Sequence, residues 1–186
     1  LLFQWNEDSL VGSSMYDNKY NEVWGFVSNS REYGVIGSTA GTHIFDVTDP
    51  SNSSEIHFIP GADQGGAIIH RDYHDRNGYL YAVSDEGNST LQIIDLRHLP
   101  DSISVVYDSN ELIKTSHNIF IDESLNIMYA CNVRKPSSEW TATSLALYDI
   151  EDPTNPIHLI DYEVPGTSSG AHDMWVNNDT AFVNNG

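Results

Sequence analysis

The sequence predicts an all-β chain built from repeated four-stranded antiparallel units, and three observations lead there. First, "NEVWGFVSNSREYGVIGST", "HRDYHDRNGYLYAVSDEG", "SHNIFIDESLNIMYACN" and "AHDMWVNNDTAFVNNG" share one pattern. Each has a polar or aromatic head, an alternating run, a turn rich in Asn, Asp, Gly or Ser, and a hydrophobic return. The heads Trp24, Arg71, His117 and His172 stand 47, 46 and 55 residues apart, a spacing that belongs to propeller blades and similar arrays. Second, "THIFDVTDPSN", "LQIIDLRHLPD" and "LALYDIEDPTN" place Asp46, Asp95 and Asp149 at the end of a hydrophobic run, with a proline four or five residues later. Third, β-branched and aromatic residues dominate, and no long stretch carries a 3.6-residue period.

Each unit reads in order as four strands. The first two runs form a hairpin; Asn77–Gly78 is the clearest turn, because both residues accept the positive φ that a type I′ turn needs. The third run ends at the aspartate, whose carboxylate can accept nearby backbone amides while the proline presets φ for the turn. A fourth run follows in "EIHFIP", "ISVVYD" and "PIHLIDYEV". The expected organisation is a β-propeller of four-stranded antiparallel blades: blades at 20–64, 65–112 and 113–166, and the start of a further blade at 167–186. Residues 1–19 are expected to be an N-terminal extension or a strand of another blade. Closed propellers have about four to eight blades, so the chain is expected to be an incomplete portion, with the remaining blades outside this segment.

Composition excludes several classes of function. Eight Lys and Arg face 27 Asp and Glu, a formal charge of −19, which repels phosphate backbones and argues against nucleic-acid binding. Cys131 is the one cysteine, so neither an intrachain disulfide nor a cysteine-based metal site is expected. No apolar run approaches the roughly 20 residues that span a bilayer. The start, "LLFQWNEDSL", lacks the basic region and apolar stretch of a signal peptide. The sequence contains no G-x-S-x-G, P-loop, G-x-G-x-x-G or H-E-x-x-H motif.

The segments "EVWGFVSNSREYGVIGSTAGTHIFDVTDPSN", "HRDYHDRNGYLYAVSDEG", "SHNIFIDESLNIMYACN", "LALYDIEDPTNP" and "GAHDMWVNNDTAFVNNG" resemble the choice-of-anchor B family, which carries propeller repeats of the LVIVD type. The family's D-[IVL]-x-D-P element appears as "DVTDP" and "DIEDP", with "DLRHL" as a variant, and the resemblance covers nearly all of residues 20–186. It implies an exported protein with an extracellular or cell-surface life.

In a propeller the first strands line a central channel, so the recurrent heads are expected to form a polar ring of Trp24, Arg71, Asp72, His117, Asn118, His172 and Asp173. Two chemistries follow. His117, His172 and Asp173 could hold a divalent metal, Zn²⁺ or Ca²⁺. Alternatively, Arg71 could clamp an anion while the imidazoles and Asn118 donate hydrogen bonds. Alternation also places His70, Asp72 and His74 on one strand face, a further possible ligand set. His43, His57 and His158 fall on third or fourth strands, remote from the ring. The expected function is a non-catalytic binding or scaffolding module with a surface protein or glycan partner. The alternative is a metal- or ligand-dependent enzyme working at the channel.

Overall fold

A computed structural model describes residues 1–138, 141–165, 170–177 and 180–185. Its fourteen strands fall in chain order into three four-stranded antiparallel sheets and one hairpin. The first sheet holds β1 (Tyr20–Ser28), β2 (Arg31–Ser38), β3 (Gly41–Asp46) and β4 (Ser54–Pro60). The second holds β5 (Arg71–Arg76), β6 (Tyr79–Ser84), β7 (Leu91–Asp95) and β8 (Ser104–Ser109). The third holds β9 (Asn118–Asp122), β10 (Ile127–Val133), β11 (Thr143–Asp149) and β12 (Ile157–Tyr162); β13 (Ala171–Asn177) pairs with β14 (Thr180–Asn185). Within each four-stranded sheet the strands lie side by side in sequence order. Among the described residues there is no α-helix, and none is long and apolar enough to cross a membrane.

Turn chemistry sets the hairpins. Asn77 and Gly78 both adopt positive φ, 50° and 78°, and Asn29 and Ser30 do the same at 50° and 62°, the two-residue geometry that matches the twist of paired strands. At the ends of β3 and β7 the aspartate works as the sequence predicts. Asp46 Oδ1 accepts the Thr48 amide at 3.0 Å, and Asp95 Oδ1 accepts the Arg97 amide at 3.0 Å. The Glu151 amide reaches Asp149 Oδ1 at 2.9 Å after β11. The turn at 178–179 lies outside the described residues.

One repeated feature is invisible in the sequence. Each third-to-fourth strand pair carries a register shift at the same place: Ile44/Phe45, Ile93/Ile94 and Leu147/Tyr148. An extra residue on the outer strand, Ile56, Val106 or Leu159, opposes none on the inner one. Such bulges add twist and interrupt an edge that would otherwise template further pairing.

The sheets pack face to face. Between the first and second lies a core of Tyr33, Val35, Ile44, Tyr73, Leu80 and Ile94 with their neighbours. Between the second and third lies a larger one including Tyr81, Ile93, Ile119, Met128, Ala130 and Tyr148. Tyr129, Cys131, Leu145, Met174 and Val176 join the third sheet to the β13–β14 hairpin. Strict alternation along β6 sends Leu80 and Ala82 to one core and Tyr81 and Val83 to the other. This is why that strand is hydrophobic throughout.

The first strands neighbour one another: β1 lies beside β5, β5 beside β9, and β9 beside β13. Residues 1–19 form no strand. They run across the first sheet, where Trp5 packs on His43 and Phe45 at centroid distances of 4.9 and 5.0 Å, and Ser14 donates from its amide to the Gly66 carbonyl.

Candidate functional site

At the start of the first strands, an open cleft of about 470 Å³ is lined by Arg71, His117, Asn118 and His172 from the expected ring, together with His70 and residues of the first sheet. The repeat accounts for the convergence. Asp72 pairs with Val83 and Asn118 with Cys131, at matching places in their hairpins, so Arg71 and His117 just before them are equivalent. On β13 the register shift between Ala171 and Asp173 makes Ala171, paired with Asn185, the counterpart of Arg71, and His172 is the extra residue. Neighbouring first strands therefore bring Arg71 and His117 together, and the irregularity on β13 adds His172 beside them.

His117 is the hub. Its Nδ1 lies 2.8 Å from Asp85 Oδ2, and its Nε2 lies 3.2 Å from His172 Nε2. The Asp85 hydrogen bond raises His117 above the usual imidazole range, assisted by the charges of Asp85, Asp72 and Glu86 and opposed by desolvation. The His70 ring stands 5.8 Å from that of His117, and its Nδ1 lies 2.7 Å from Glu86 Oε1. Glu86 is itself anchored, because its Oε2 accepts the amides of Ile69 and His70, both at 2.9 Å. One ligand atom from each of His70, Asp85 and Glu86 falls within 4.8 Å of the others. Asp85 and Glu86 were missed in the sequence. Their signal was the acidic pair in "SDEG", at the end of β6, where the first unit has "STAG" and the third "NVRK".

Arg71 is nearly buried, and two of its nitrogens are engaged. Nε donates to the Ser38 carbonyl at 2.8 Å and Nη2 to the Asp63 carbonyl at 3.0 Å. The guanidinium is seated against Gly61, where a Cβ would strike it. It braces the second sheet on the first instead of reaching out as an anion clamp. Asn21 also lines the cleft. Its Oδ1 accepts the Glu22 amide at 3.0 Å, while its Nδ2 is buried with no hydrogen-bond partner.

Three members of the expected ring lie elsewhere. Trp24 is part-way along β1, with Nε1 donating to Asp75 Oδ1 at 2.8 Å and its ring 4.7 Å from His74. The reason is register. Tyr20 pairs with Ser38 as Arg71 pairs with Ser84, and the irregularity between Tyr20 and Val23 hides that match from a comparison by residue type. Asp72 is buried, its Oδ2 accepting the Ile119 amide at 2.6 Å, and burial pushes its carboxyl up to about 7. Asp173 accepts from Asn118 Nδ2 at 3.3 Å and from the Met174 amide at 2.7 Å, and it does not line the cleft. The expected set of His70, Asp72 and His74 is likewise dispersed: His74 packs between Trp24 and Phe120, burial lowers its basicity, and only His70 reaches the cleft. Cys131 is buried, its thiol pushed up to about 12, and takes no part.

A second constellation has the outline of a nucleophile–base–acid set. Ser38 Oγ lies 2.8 Å from His43 Nε2, and His43 Nδ1 lies 2.8 Å from Glu55 Oε1. Ser38 and His43 are 0% and 4% exposed, and Trp5 packs over the imidazole. The Ser38 oxygen already accepts the amides of Ala40 and Gly41 at 3.1 and 3.2 Å. A substrate carbonyl cannot approach it, so the set reads as a buried polar tie. Other side-chain ties occur at different positions along the outer strands, from Gln92 Nε2 to Asp108 at 3.1 Å and from Ser144 Oγ to Glu163, just past β12, at 2.7 Å. No protein-family model matches the chain, and no curated protein matches it.

Proposed function

We propose that the chain is a portion of a β-propeller of the LVIVD type, exported to the cell surface, and that its work is binding without catalysis. The side-by-side first strands and the face-to-face packing of successive sheets support the propeller. So do the apolar side chains left open at both ends of the array: Val23 and Val27 on β1, Trp175 and Phe182 on the last hairpin. In a ring of blades those faces would be covered by neighbours. The resemblance to the choice-of-anchor B family supports export, and the formal charge of −19 suits a protein kept soluble by self-repulsion.

The single observation that carries the binding role is the cleft, where the starts of the first strands of successive sheets converge with polar side chains. The expected partner is a cell-surface protein or glycan. Photo-cross-linkers placed at Asn18 and Glu22, on the rim, should capture that partner from surface material. Capture only from positions outside the cleft, or turnover of a surface substrate by the purified protein, would overturn the binding role in favour of an enzyme.

A further inference from the structure

We infer that the cleft binds one divalent transition-metal ion between His117 Nε2 and His172 Nε2, with Asp85 orienting the His117 ring. This rests on reading the cleft as a binding site and adds the chemical class of what it takes. The spacing is the first reason. Two imidazole nitrogens, each 2.0–2.1 Å from a tetrahedral zinc ion, lie about 3.3 Å apart, and the two Nε2 atoms stand 3.2 Å apart.

Ring orientation is the second reason. A metal-binding imidazole needs a lone pair on the nitrogen facing the ion, and a carboxylate on the other nitrogen secures it. Asp85 at 2.8 Å holds the Nδ1–H of His117, so Nε2 carries the lone pair toward His172. Glu86, fixed by the two backbone amides it accepts, holds the neighbouring His70 at 2.7 Å beside the pair. His117 thus has the carboxylate–histidine arrangement before any ion arrives.

The third reason is the electrostatic surround. Arg71, which lines the cleft, has Nε and Nη2 turned to the carbonyls of Ser38 and Asp63, while Asp85, Glu86 and Glu22 stand around the imidazoles. Nitrogen donors also separate the candidate ions. Imidazole suits Zn²⁺, Co²⁺, Ni²⁺ and Cu²⁺, whereas Ca²⁺ takes oxygen ligands. Of the two ions expected from the sequence, the geometry points to zinc and away from calcium. His117 precedes β9 and His172 lies on β13, so one ion would tie the third sheet to the last hairpin.

The competing arrangement needs no ion: His172 Nε2–H donates to His117 Nε2 as an ordinary hydrogen bond. Titration of the chelator-stripped full chain with Zn²⁺ by calorimetry, and with Co²⁺ by its visible bands, separates the two. One ion per chain is expected, with a rise in melting temperature that EDTA reverses. His172→Ala, on an exposed side chain and so harmless to folding, should weaken binding at least about 100-fold. Asp85→Asn, which leaves the ligand atoms in place, should weaken it about 10–100-fold, the usual effect of losing an orienting carboxylate. His158→Ala, on the outer strand β12, should change nothing.

Failure of the wild type to take up Zn²⁺ at micromolar concentrations would overturn the inference, as would undiminished uptake by His172→Ala. Uptake abolished by Glu86→Gln but unaffected by His172→Ala would move the ion onto the carboxylates and equally overturn it. Partner capture at Asn18 and Glu22 without metal uptake would sink the metal site alone. Metal uptake without partner capture would sink the surface-binding role and leave the ion in place.

Discussion

Tyr81 and Phe182 occupy the same position in their hairpins, facing His74 and Trp175, yet Tyr81 is 1% exposed and Phe182 56%. Tyr129, facing Phe120 in the third sheet, lies between them at 8%. Local sequence does not separate the three, since each is an aromatic on a hydrophobic second strand. What differs is the layer beyond. The third sheet covers Tyr81, the β13–β14 hairpin covers Tyr129, and nothing among the described residues covers Phe182. Burial in this molecule belongs to the neighbouring sheet and not to the strand.

The largest expected effect tests that directly. Tyr81→Ala should cost about 3–5 kcal/mol, as truncation of a fully packed aromatic does, measured by denaturant unfolding. Tyr129→Ala should cost less, because only a hairpin lies over it; a larger loss than at Tyr81 would break the ranking. Below these comes Asp95, whose carboxylate accepts from the Arg97 amide and side chain. Asp95→Ala should cost about 1 kcal/mol, the net worth of a hydrogen bond.

The same contact has a pH signature. The Arg97 side-chain hydrogen bond holds the Asp95 carboxyl below its usual range. Its stabilisation is therefore present above the unfolded value, about 4, and is lost as pH falls through the lower folded value. Unfolding midpoints should decline below about pH 4, and less steeply in Asp95→Asn. Smallest of all, Phe182→Ala should change stability by no more than about 0.5 kcal/mol, as exposed substitutions do. A loss comparable to that of Tyr81→Ala would mean that another surface covers the last hairpin in solution.

Much of the fold was legible because its determinants are local. Asn77–Gly78 announces a hairpin through its own backbone preferences, and the alternation of Leu80, Tyr81, Ala82 and Val83 needs only the two-residue period of a strand. The site was legible in part. His117 and His172 stood out as polar heads on hydrophobic runs, though His172 reaches His117 from the irregularity on β13 and not from an equivalent pairing position. Trp24 was misplaced because residue type was matched where register decides: the true counterpart of Arg71 is Tyr20, four residues away, one of them added by the irregularity between Tyr20 and Val23. Asp85 and Glu86 sit in a turn, where acidic residues are ordinary; only contact with His117 and His70 distinguishes them.

By itself the sequence determined strands, turns and their repetition, because propensity, alternation and turn chemistry act over a few neighbouring residues. Tertiary structure alone decided which aromatics are buried, which carboxylates orient which imidazoles, and that Arg71 braces a sheet. Those outcomes depend on contacts between residues far apart in the chain, such as Asp85 with His117 across 32 positions and His117 with His172 across 55. Such contacts exist only once the sheets have packed, and their free energy resides in that packing.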